Sequence, residues 1–172
     1  MPPEKPGPPW DTPRSWQEAN KAVSRLLDRH RCRLAPLLET SGIIRERIDE
    51  LDSLYRHLCA ETCPFCPHPC CINADIWFDL KDLVFLQAEG LPVPATCPRK
   101  PRHMPCPFLG SRGCLLPRTG RPWICTWYLC PVQKRRLGKH QKNILYKINL
   151  LTSEVTGLRR QLEQRFIHLA AF

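Results

Sequence analysis

No stretch of this 172-residue sequence approaches the ~18 consecutive apolar residues that a membrane helix needs, so no span is expected. Glycine is scarce, at eight residues, and none of it forms a glycine-rich phosphate loop. Paired carboxylates for general acid–base work do not stand out, because Asp75, Asp79 and Asp82 fit one exposed helix face. The N-terminal MPPEKPGPPW lacks the apolar segment of an export signal, which leads to the expectation of a reducing, cytoplasmic compartment where disulfides are rare. There is no internal repeat. From Gly90 to Ser153 there is no Asp or Glu at all.

What the chain does have is cysteine, proline and positive charge: 11 Cys, 19 Pro and a net charge of +10. The length suits one domain, and a hydrophobic fraction of 42% is enough for a core, which excludes disorder throughout. Eleven cysteines in a reducing compartment point to metal or redox chemistry rather than to disulfide staples. The acid-free stretch carries twelve basic residues, Lys134, Arg135, Arg136 and Lys139 close together among them. Two readings follow. The stretch is a footprint for nucleic acid or another polyanion, or its cations offset an anionic metal–thiolate centre.

The pattern predicts a mostly α protein in which helices from both chain ends pack around an irregular, Pro/Cys-rich, metal-organised lobe. Residues 1–14, with six prolines, read as a flexible tail that Trp10 tacks to the body. Residues 15–60 read as an N-terminal helical segment, 61–131 as the metal-binding lobe, and 132–172 as a basic connector and C-terminal helix, with 15–172 forming one domain. Ser15-Trp16-Gln17-Glu18 has capping-box form. Pro36 is expected to end or kink the first helix near Leu34, with a second helix starting after Ser41-Gly42. Ile44, Ile48, Leu51, Tyr55 and Leu58 alternate spacings of four and three. Ile148, Leu151, Val155, Leu158, Leu162 and Leu169 repeat that pattern with Arg165 in the missing slot. Such seams either pair helices within the chain or join two copies in a homodimer. One helix is expected over Asp75–Glu89, ending at Gly90. Residues 143–150 fit both a strand and a helix, with helix preferred.

The central feature is Cys63-Pro-Phe-Cys66-Pro-His-Pro-Cys70-Cys71, four thiols within nine residues. A C-x2-C pair turns two sulfurs toward one point, as a tetrahedral thiolate site requires. Adjacent cysteines diverge, so Cys70 and Cys71 serve two ions, or one ligates while the other packs. Cys106, Cys114, Cys125 and Cys130 follow and bring the candidate ligands to eight, enough for two four-thiolate sites or one cluster and one ion. Proline follows Cys63, Cys66, Cys106 and Cys130, an arrangement also met in iron–sulfur ligand runs. Iron, as an ion or an iron–sulfur cluster, is placed ahead of zinc. Arg121, between Cys114 and Cys125, is the candidate cofactor-binding residue, donating to cluster sulfurs or to the carbonyls beside them. Phe65, Trp77, Phe108, Trp123, Trp127 and Tyr128 either wall such a site from water or form ordinary core. His68 and, more weakly, His103 are further ligand candidates. Cys32 and Cys59 read as buried apolar residues, with Cys59 near enough to Cys63 to touch the edge of the site, and Cys97 as a free thiol.

These blocks resemble the YkgJ-like cysteine-cluster family, described as a zinc- or iron-chelating domain. The family's order is a CxxCxxCC cluster, a helix, a Cys-Pro-Phe-Leu block, a Cys, and an Arg-Pro-x-x-Cys block. The corresponding residues here are Cys63, Cys66, Cys70 and Cys71, then Cys106-Pro107-Phe108-Leu109, Gly113-Cys114, and Arg121-Pro122-Trp123-Ile124-Cys125. The match spans residues 63 to about 130. The chain departs from the pattern in the three-residue gap Pro67-His68-Pro69, in a long interval from Cys114 to Cys125, and in lacking Tyr before the Arg-Pro. A more distant resemblance reaches the flagellin lysine-N-methylase group. The resemblance implies a metal-binding protein with a redox, sensing or structural role. The alternatives are an enzyme using the cluster, methylase-like or oxidoreductase, and a zinc-stabilised interaction module that binds a polyanion or protein partner.

Overall fold

The structure is a computed structural model and describes residue 10 and residues 12–67, 69–95, 99–101, 103–111 and 113–171. His68, Cys97, Arg102 and Arg112 lie outside the described residues, as does most of the proline-rich tail. The chain is mostly helical: α1 (Pro13–Arg29), α2 (Ala35–Thr62), α3 (Cys70–Asn73), α4 (Leu80–Ala88), α5 (Trp123–Trp127), α6 (Pro131–His140) and α7 (Lys142–Ala171). Among the described residues the strands are two short antiparallel pairs: β1 (Ile76–Trp77) with β2 (Arg99–Lys100), and β3 (Leu109–Gly110) with β4 (Gly113–Cys114).

The long helices follow the apolar spacing. Ile44, Ile48, Leu51, Tyr55 and Leu58 are all buried on α2, and Ile148, Leu151, Val155, Leu162 and Leu169 are buried on α7. The two helices pack on each other, with Arg47 reaching Glu154 at 2.8 Å across their rim. α1 and α4 complete the frame. Trp10 is buried against Trp16, and its indole N–H donates to the Phe78 carbonyl at 2.9 Å. Gly90 ends the α4 turn with φ +62°, as its expected role at a helix C-terminus requires.

Several boundaries differ from expectation. The capping box at α1 is Thr12 with Ser15, three residues upstream of the Ser15–Glu18 pair, and Pro13 takes the first helical position that proline tolerates. α1 ends at Arg29, and Pro36 lies in the first turn of α2 rather than breaking a helix, so α2 runs unbroken through Ser41-Gly42. Residues 75–79 are not helical: Asp79 caps α4, and Ile76–Trp77 pair with Arg99–Lys100. The basic connector is the helix α6, and residues 143–150 belong to α7.

The acidic helix face is also a correction. Asp82 is buried, and its carboxylate receives Arg159 Nη1 at 2.8 Å, the Trp123 amide at 3.0 Å and the Asp79 amide at 2.9 Å. Arg159, itself buried, also binds Asp79 at 2.7 Å and sits over the Trp123 ring at 5.4 Å. An apolar seam could not signal this, because the carboxylate's partner lies 77 positions away in sequence. Through this cluster α7 and α4 grip the start of α5, which carries Cys125.

Candidate metal centre

Short irregular elements distribute the cysteines of the lobe. Cys63 ends α2, and its amide donates to the Cys59 carbonyl at 2.9 Å. Cys66 follows in a turn closed on the Cys63 carbonyl. Cys70 and Cys71 open α3. Cys106 precedes the β3–β4 hairpin and Cys114 closes it. Gly113 is at φ +115°, where only glycine is unstrained, and a side chain there would lie 3.9 Å from Cys63 Cβ. The hairpin therefore seats Cys114 beside the end of α2. Cys125 lies within α5, and Cys130 caps α6 with sulfur in place of the usual oxygen. The Gln133 amide donates to Cys130 Sγ at 3.5 Å, and Gln133 Oε1 accepts the Cys130 amide at 3.2 Å. Among the described residues the cysteines are free thiols.

Cys106, Cys114 and Cys125 line one cavity of about 20 Å³, together with Lys100, Arg121, Phe108 and Phe78. A space of that size holds a single water-sized body. The soft thiols fit a thiophilic cation, zinc or iron, in their donor chemistry, and the flanking Lys100 and Arg121 would offset thiolate charge. The thiols are gathered rather than closed: no three His, Cys, Asp or Glu among the described residues converge tightly enough to hold an ion as placed.

Electrostatics link this group to the rest of the lobe. Burial, then the charges of Cys114, Cys106 and Cys70, push Cys125 up to about 12. Burial also raises Cys106. The neighbouring Cys71 thiol is the main cause that holds Cys70 down to about 6, and the Cys63 thiol is the main cause that does the same for Cys59. Their partners rise in turn.

The cations that surround the thiols are in part those the sequence suggested. Arg121 lines the cavity and donates Nε to the Leu116 carbonyl at 2.9 Å. Lys100 is buried, and its ammonium caps α3 by donating to the carbonyls of Ile72 and Ala74, both at 2.7 Å. It thereby fixes the short helix that presents Cys70 and Cys71. Arg118 binds Asp52 at 3.1 Å and the Thr126 carbonyl at 2.8 Å, and lies over the Tyr55 ring at 4.2 Å. Lys100 and Arg118 belong to the acid-free stretch, but nothing local in the sequence separates a buried lysine or arginine from its exposed neighbours.

Other expectations fare less well. Cys32 is exposed and so is not a core residue, whereas Cys59 is half-buried and packs against the apolar cluster of Leu58, Leu129 and Leu137. Phe65 is 82% exposed, and Trp127 and Tyr128 also face solvent, so these three do not wall the cavity. Phe108 does, and Trp123 packs instead on the helical core. His103 is exposed at φ +64°. No helix among the described residues is long and apolar enough to cross a membrane. Comparison with protein-family models, curated proteins and solved structures yields no match for this chain.

Proposed function

We propose that this chain is a metal-binding protein of the YkgJ-like cysteine-cluster class. Its lobe holds iron or an iron–sulfur cluster, ahead of zinc, on thiolates drawn from Cys63, Cys66, Cys70, Cys71, Cys106, Cys114, Cys125 and Cys130. The observation that carries this reading is the cavity that Cys106, Cys114 and Cys125 line from three separate segments beside two cations. In the lobe an iron–sulfur cluster would supply one-electron chemistry and zinc a structural tie, and the cavity as sized suits a single ion. Arg121 and Lys100 offset the thiolate charge, while Phe78 and Phe108 keep water from the apolar side. Free thiols in this number suit a reducing cytoplasm.

A cavity for one water-sized body is far below the ~300–1,000 Å³ typical of small-molecule pockets, so an enzyme reading would need a surface substrate. The interaction-module reading has its own support in α6, where Lys134, Arg135 and Lys139 are exposed on one basic helix. The deciding experiment is elemental and sulfide analysis with an absorption spectrum on protein purified without oxygen. Iron or zinc near stoichiometric amounts, lost in Cys125→Ser, is expected. Metal-free wild-type protein with an ordered lobe would overturn the reading.

A further inference from the structure

We infer that Cys59, which stands outside the cysteine motif, is a further thiolate of this metal centre, held for the metal by the buried side chains of Arg118 and Gln133. The inference rests on the metal-binding reading above. Arg118 Nη2 and Gln133 Nε2 both donate to Cys59 Sγ, each at 3.8 Å. Arg118 is 5% exposed and Gln133 4%, and they arrive from different elements: the 3-10 turn at Arg118–Gly120 and helix α6. A thiol that merely fills space on a helix needs no such company. A guanidinium and an amide converging on one sulfur match the hydrogen-bonding demand of a thiolate.

Arg118 is fixed in that pose by Asp52, the Thr126 carbonyl and the Tyr55 ring. Gln133 is fixed by donating to Thr62 Oγ1 at 2.9 Å and by the capping box it forms with Cys130. The same glutamine therefore touches two sulfurs, Cys59 through its side chain and Cys130 through its amide. Cys59 lies one helical turn before Cys63, at the same side of the end of α2. Cys59 and Cys130 are thus both tied to Gln133 at the junction of α2 and α6. When the sulfur of Cys59 takes the metal its S–H proton passes to water, and no electron is transferred.

Cobalt(II) is the probe. Reduced wild-type protein is loaded with cobalt without oxygen and treated with iodoacetamide, and alkylation is mapped by mass spectrometry before and after chelation. Cys32 is expected to be labelled in both states. Cys59 is expected to be labelled about tenfold less with cobalt than without, in step with Cys63. In parallel, Cys59→Ser should keep its cobalt but lose one sulfur's share of the thiolate-to-cobalt absorption. Labelling of Cys59 that is the same with and without cobalt, while Cys63 is protected, overturns the inference and leaves the centre standing. An unchanged absorption in Cys59→Ser does the same. Wild-type protein that retains no cobalt and protects no cysteine removes the centre and Cys59 with it.

Discussion

Along α2 and α7 most buried side chains are aliphatic or aromatic, set at spacings of three and four, with Thr40, Ser41 and Arg159 the polar exceptions. In the lobe, residues 63–77 and 99–130, the described residues that are fully buried include Lys100, Arg118 and Thr126, while Phe65, Met104 and Leu115 face solvent. The frame is held by apolar area removed from water, a force that grows with every residue of the seam. The lobe is held by directed contacts to carbonyls, sulfurs and one carboxylate, and it hides few large apolar side chains. A region of that second kind stands only while its polar partners stay paired. It gains most from a ligand that ties its sulfurs together.

The largest test of that contrast is metal removal. Structural metals on thiolates contribute on the order of 10 kcal/mol, comparable to a typical domain's net stability. Chelation should therefore raise amide exchange across residues 99–130 while α2 and α7 stay protected, as hydrogen exchange with mass spectrometry would show. Equal protection with and without metal would erase the distinction between the regions. Next in size is Leu162→Ala in the frame. The side chain is fully buried, so truncation should cost ~2–5 kcal/mol by denaturant unfolding and leave metal content unchanged. Metal loss in that variant would mean that frame and lobe do not separate.

The smallest effect probes the joint between the regions. Burial, with the nearby Asp79 charge, pushes the Asp82 carboxyl up to about 6 against the pull of Arg159, from an ordinary value of 3.8. A carboxyl raised by folding contributes stability that is full below about 3.8 and is lost as pH rises through about 6. The span is ~3 kcal/mol at most. Asp79 works the other way: burial raises it, but the charge of Arg159 and its other partners bring it below the usual value, so its contribution fades only in stronger acid. Lys81 and Glu163 complete the charges around the joint. In Asp82→Asn the fall in stability between pH 4 and 6.5 should flatten relative to wild type, measured by denaturant unfolding across that range. An unchanged slope would place the wild-type titration elsewhere.

The frame was legible because apolar spacing is a local signal: Ile44 to Leu58 and Ile148 to Leu169 name their own buried faces. The helix ends were less so. Thr12 and Ser15 form a capping box without the acidic residue that marks the usual one, and Cys130 caps α6 through sulfur, a residue type outside the common capping set. In the lobe, the motif blocks identified Cys106, Cys114, Cys125 and Arg121, which the fold brings to one cavity. The roles of Lys100, Arg118 and Gln133 depend on partners 26 to 74 positions away, and no window of sequence contains both ends of such contacts. Asp82 failed for the same reason in reverse: an acidic residue on a helix reads as exposed until the arginine that neutralises it is found on another helix.

The sulfur at the head of α6 gives that helix an unusual origin. Its first turn is anchored to Cys130, and its inner face is pinned through Gln133 to α2. The outward row of Lys134, Arg135 and Lys139 therefore takes its bearing from a thiol rather than from a loop.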